Sequence, residues 1–107
     1  MMNERNTVSL SFKEALHKAQ HFCAYQERCH KEVRQKLISW RVSHHEREEI
    51  IVVLIQDHYL NEERFAKAYA GGKFRVKRWG RNKIRRELMA KDISPACIDK
   101  GLREISD

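Results

Sequence analysis

Residues 32–43 read "EVRQKLISWRVS", and residues 83–94 read "KIRRELMAKDIS". Laid 51 positions apart, Val33 meets Ile84, Leu37 meets Leu88, Val42 meets Ile93 and Ser43 meets Ser94. Val33/Leu37 and Ile84/Leu88 each stand four residues apart, the spacing of one helical face. Their neighbours change freely: Glu32 falls against Lys83, and Gln35 against Arg86. A stretch that keeps its apolar face and rewrites its surface is a structural unit used twice, and that decides the fold.

The match extends outward. Leu16 and Ala19 align with Phe65 and Ala68 at an offset of 49, and Ile50 and Leu54 align with Ile98 and Leu102 at 48. Small differences between offsets are what loop-length changes produce. A period near 50 marks tandem helical repeats, neither of which buries its apolar face alone. Four glycines and one proline in 107 residues argue against a loop-rich or all-β chain.

Helix signals agree. Ser11 with Glu14, and Ser43 with Glu46, form capping boxes, and Asn61 caps an acidic first turn. Cys29 stands where a cap is needed ahead of Val33, although sulfur accepts hydrogen bonds poorly. Gly80 precedes "RNKIRRELMAK", and Ser94-Pro95 opens the last helix. Ile50–Ile55, six apolar residues in a row, resembles a buried strand. The cap before it and the lack of a partner strand favour a central helix buried on most sides. The expected architecture is all-α: two tandem three-helix repeats (11–58 and 59–107) in an elongated, curved helical array. A flexible segment (1–10) precedes them, and "DHYL" (57–60) is the joint.

The charge is unevenly divided. The chain carries a formal +7, which favours an anionic partner. Residues 1–60 hold nine Lys/Arg against eight Asp/Glu, and residues 61–107 hold thirteen against seven. The excess concentrates in "KFRVKRWGRNKIRREL" (73–88), where eight of sixteen residues are basic. A helical wheel turns Lys83, Arg85 and Arg86 away from the Ile84/Leu88 face. Basic runs on exposed helices often only solubilise, but this one is single-signed, interleaved with aromatics and lacking in the first repeat. The candidate partner-binding residues are Lys73, Arg75, Lys77, Arg78, Arg81, Lys83, Arg85 and Arg86. Trp79 reads as packing at the helix start rather than as a base-stacking platform.

Other chemistries fall away. Cys23 belongs to an apolar stripe with His17 and His21 beside it, so no zinc ligand set converges. No P-loop, Gly-rich phosphate turn or nucleophile elbow occurs, and the acidic residues are scattered rather than paired, so no catalytic residue, cofactor or small-molecule substrate is expected. No segment approaches the roughly 20 apolar residues of a membrane span. With three unpatterned cysteines and no signal-like start, a cytoplasmic protein with reduced thiols is expected.

"CAYQERCHKEVRQKL" (23–37), "DHYLNEERFAKAY" (57–69) and "KFRVKRWGRNKIRREL" (73–88) resemble the RecX family of regulators of the RecA recombinase. The likeness runs from about Ser11 to Ile105. It implies tandem three-helix repeats and a non-enzymatic regulator acting in DNA repair, recombination and the SOS response. Such a protein binds the RecA–DNA filament and inhibits ATP hydrolysis, strand exchange and co-protease activity. On the family's motifs, Tyr59, Leu60, Arg64, Phe65 and Ala66 fill the joint, and Trp79, Gly80, Ile84, Glu87 and Leu88 fill the second motif, mostly in structural roles. The expected partner is the RecA filament, with a weak DNA contact; the alternative is a basic helical module that binds DNA phosphates without regulating a recombinase. The chain departs from the family twice. Cys29 replaces the usual serine, which weakens a cap by about 0.5–1 kcal/mol. Two repeats stand where the family usually has three, so a third option is a sound fold with no regulatory effect.

Overall fold

The structure is a computed structural model that describes residues 10–105. The expected flexible segment thus lies outside the described residues, apart from Leu10. Six helices follow in order: α1 Phe12–Tyr25, α2 His30–Ser39, α3 His44–Gln56, α4 Glu62–Arg75, α5 Arg81–Ala90 and α6 Pro95–Arg103. The described residues contain no strand.

Local chemistry explains the starts. Ser11 and Glu14 close a full capping box on α1. Ser43, Asn61 and Ser94 each accept a backbone N–H from the third residue onward, and Pro95 occupies the first turn of α6, where its missing N–H costs nothing. Gly80 caps α5 without a side chain, at an ordinary φ of −79°. At Cys29, Glu32 supplies the bond instead: its carboxylate accepts the Cys29 N–H at 3.0 Å.

Two ends are duplicated. Arg41 and Asp92, 51 residues apart, both adopt left-handed backbone at φ 63° and 62°. In each unit the following N–H reaches back five residues, Val42 to the Leu37 carbonyl and Ile93 to that of Leu88. This is the Schellman closure of a helix, usually made with glycine.

Each unit has its own core. The first gathers Ala15, Ala19, Val33, Leu37, Ile50 and Leu54, among others; the second gathers Phe65, Ala66, Ala70, Ile84, Leu88 and Ile98 with their neighbours. Burial and caps correct two of the expected offsets. Ser43 and Ser94 are 51 apart, and so are the buried pairs Ile50/Gly101, Ile51/Leu102 and Leu54/Ile105. In the first helices Ala15/Ala66 and Ala19/Ala70 are the buried pairs, again at 51. Helical periodicity lets an apolar pattern slide by two or three residues and still look matched; burial removes that freedom.

Helix α3 is confirmed as a helix, but not as one buried on most sides. Val52 and Ile55 are exposed, because only the face carrying Ile50, Ile51 and Leu54 meets α1 and α2.

The two units exchange residues. Leu60 and Tyr59, which open the second unit in chain order, pack into the first core. Cys29, at the start of α2, is buried in the second core. Around this exchange Arg64 bonds Glu27 at 2.6 Å, Lys91 bonds Glu32 at 3.2 Å, and Lys31 reaches the Ala90 carbonyl at 2.9 Å. The result is elongated, with extents of 58 × 28 × 20 Å and a radius of gyration of 16.1 Å, where a compact chain of this length would have about 13 Å.

Candidate partner interface

Helix α4 ends at Arg75, Arg78 turns the chain through left-handed backbone at φ 62°, and α5 starts at Arg81. The eight basic candidates lie on the end of α4, in this corner and along α5, and their side chains have different occupations.

Trp79 organises the first group. It is half-buried against the second core and stands edge-on to Tyr69, with ring centres 6.4 Å apart. Lys73 and Lys83 lie over its ring at 5.0 and 4.4 Å, and Lys91 lies over Tyr69 at 5.6 Å. The rings thus hold cations in place, each contact contributing about 0.5–1 kcal/mol at exposed sites. Burial alone would lower the Lys91 pKa, but its bond to Glu32 and the surrounding negative charge outweigh it and raise the value. Lys91 therefore stays charged.

Lys73, Lys77 and Lys91 line one groove of ≈ 530 Å³ along α4, together with Tyr69, Val76 and Glu32 of the first unit. On the other side of the corner, Arg75 and Arg78 flank Phe74 and Trp79.

Two candidates serve the fold. The Arg81 guanidinium donates to the carbonyls of Leu102 and Ile105 at 2.9 and 2.8 Å, closing the carbonyl end of α6. Arg85 pairs with Asp99 of α6 at 3.3 Å. Lys77, Arg78 and Arg86 are exposed and have no ion pair among the described residues. The motif residues divide similarly. Phe65, Ala66, Ile84 and Leu88 are core, Glu87 is half-buried, and Arg64 ties the joint through Glu27 and the carbonyls of His58 and Tyr59.

Sequence reasoning missed Lys91 and Glu32 as a joint pair. Their signal was a change of charge between the units: Lys91 stands where the first unit has the neutral Trp40, and Lys83 where it has Glu32.

Comparison with known proteins bears on this arrangement. Residues 61–102 match the family model for the second three-helix domain of RecX. The fold superposes on the crystal structure of RecX from Lactobacillus salivarius with a TM-score of 0.78 and 26% identity, covering 86% of this chain and 60% of that one. It also superposes on a crystal structure described as regulatory protein RecX, with a TM-score of 0.77, 20% identity, 99% of this chain and 54% of that one. The chain thus spans less than two thirds of either protein. No curated protein matches it by sequence. Fold and matches define the class as a tandem three-helix-repeat protein with a basic second unit. Residues 61–102 thus resemble the second three-helix domain of RecX, and the described fold is similar to that of RecX proteins. Among the described residues, no helix is long and apolar enough to cross a membrane.

Proposed function

We propose that this protein is a non-enzymatic regulator that binds the RecA–DNA filament and inhibits ATP hydrolysis, strand exchange and co-protease activity in the cytoplasm. The observation that carries the reading is that Lys77, Arg78 and Arg86, in the corner and on α5 of a RecX-type second domain, are exposed and without an ion pair among the described residues. Three exposed charges without acidic partners are available to pair with an anionic surface. Lys73 and Lys83, held on Trp79, extend this set with less side-chain freedom left to lose on binding.

The test is RecA ATP hydrolysis on single-stranded DNA. A progressive fall in rate with added protein is the expected result, and an unchanged rate at saturation overturns the inhibitory role. The combined variant Lys77→Glu/Arg78→Glu/Arg86→Glu should lose filament binding while keeping its helicity, because exposed substitutions usually shift stability by only about 0.5 kcal/mol each.

The same residues favour a second reading, direct binding to DNA phosphates. Each phosphate neutralised gives a salt slope near about 0.9 on duplex and about 0.7 on single strands. Tight, steeply salt-dependent binding to bare DNA, without any binding to RecA, would replace the first reading with the second.

A further inference from the structure

Placed at the 51-residue spacing that burial defines, the surfaces of the two units also correspond. In the first unit Arg28 lies over Phe22 at 3.7 Å, and Lys18 lies over Trp40 at 5.0 Å. The equivalent positions in the second unit are Trp79, Lys73, Tyr69 and Lys91. There Lys73 lies over Trp79 at 5.0 Å and Lys91 over Tyr69 at 5.6 Å. Both cation–ring pairs recur with cation and ring exchanged. The contact persists while the residues that make it have swapped.

The hollows beside these pairs correspond too. One of ≈ 340 Å³ in the first unit is lined by Lys18, His21, Phe22, Tyr25, Arg28 and Trp40. Five of those six positions, moved on by 51, line the larger groove along α4. At its edge stand Tyr25 and Val76, a third equivalent pair, 83% and 76% exposed. Ile38 and Met89 form a fourth, 53% and 59% exposed. Large apolar side chains left in water at the same two places in both units do nothing for either core. Scattered surface hydrophobics are ordinary, but repetition at equivalent positions is not.

We infer that the groove marked by Tyr25 in the first unit and Val76 in the second is one docking site present twice. Its occupant is a pair of identical acidic, apolar-bearing segments on neighbouring subunits of a repeating protein assembly. The acidic character follows from the lining. Lys18, Arg28 and Lys36 attend the first copy and Lys73 and Lys77 the second, where Glu27 and Glu32 are paired with Arg64 and Lys91. A protein fits better than a nucleic acid. The ring faces are occupied by the chain's own cations, and the exposed group is tyrosine in one copy but valine in the other, so no base-stacking platform is repeated. Two like sites on one chain bind two like elements with the gain of an intramolecular second step. The inference rests on the filament reading above and adds the first unit to the contact surface.

The test titrates the unaltered chain, Tyr25→Ser, Val76→Ser and the double variant onto RecA filaments on single-stranded DNA, with the same DNA bare in parallel. Thermal melting of each variant checks the fold. Each single change should weaken filament binding about tenfold and the pair about a hundredfold, while bare-DNA binding stays constant. Weakening by Val76→Ser but not Tyr25→Ser overturns the duplication and leaves the filament reading intact. No weakening by either variant overturns the site altogether. Equal losses on bare DNA overturn the protein occupant in favour of nucleic acid. Failure of the unaltered chain to bind filaments overturns both the reading and the inference.

Discussion

At residue 50 the first unit places an isoleucine in its core, whereas at the equivalent residue 101 the second unit places a glycine. A methyl group built on Gly101 would stand 2.7 Å from the Ala66 carbonyl oxygen, so α6 crosses α4 almost backbone to backbone. The first unit separates α1 and α3 with side chains. One topology thus tolerates two helix spacings, provided that the small residues move with the contact: Gly101 lies against Ala66, and Ile50 shares a core with Ala15 and Ala19. The comparison teaches that the repeat preserves position and burial rather than residue type, in the core as on the cation–ring surface.

The largest test of this contrast works by opposite mechanisms at equivalent sites. Ile50→Ala should destabilise by about 2–5 kcal/mol by opening a cavity. Gly101→Ala should destabilise by about 1–3 kcal/mol by overfilling the crossing. Chemical denaturation measures both, and a neutral Gly101→Ala would mean that the α4–α6 crossing is wider than described.

Next in size is Arg81→Ala, expected to lose about 1–2 kcal/mol because the last carbonyls of α6 lose a charged donor. Arg86→Ala, on the solvent side of the same helix, should change stability by less than about 0.5 kcal/mol. Equal effects in thermal melts would erase the distinction between the two arginines.

A gain is expected at the shared turn. Arg41→Gly should stabilise by about 0.5–1 kcal/mol, since glycine adopts φ 63° without the clash of a β-carbon. Asp92→Gly should gain less, because aspartate already tolerates this conformation. A loss of melting temperature at either position would contradict the turn geometry.

The smallest effect concerns pH. Burial holds the His30 pKa below 6.5, and its Nε2 is buried without a partner at the joint. The folded state therefore resists protonation that the unfolded chain accepts. Stability is full above pH 6.5 and declines as pH falls from there through the depressed folded value. His30→Gln should flatten that part of a stability–pH curve; an unchanged slope would assign it to another group.

Much of the fold was legible because its signals are local. Ser11, Asn61 and Ser94 announce helix starts, and Ile84 and Leu88 announce a face. What was not legible depends on partners distant in sequence. The cap at Ser43 marks the run Ile50–Ile55 as helix without showing which side is covered, so the exposure of Val52 and Ile55 could not be read from it. Arg81 has the composition of a surface cation, and only the position of the α6 end makes it a cap. The basic cluster itself was visible as charge, but its division into ring-held lysines, fold-bound arginines and unpaired cations required the corner between α4 and α5. Cys29 looked like a poor cap within its own unit, and its sulfur proves to be packed in the other.

That last placement has a consequence for how such a chain is divided. Leu60 and Cys29 each lie across the boundary that duplication would draw, one step into the neighbouring core. The residues of the copied segment and the residues of the packed core are therefore not the same set. A fragment cut at the sequence boundary would leave the first core without Leu60 and the second without Cys29, so a fragment taken to report on one repeat would report a unit with a missing piece.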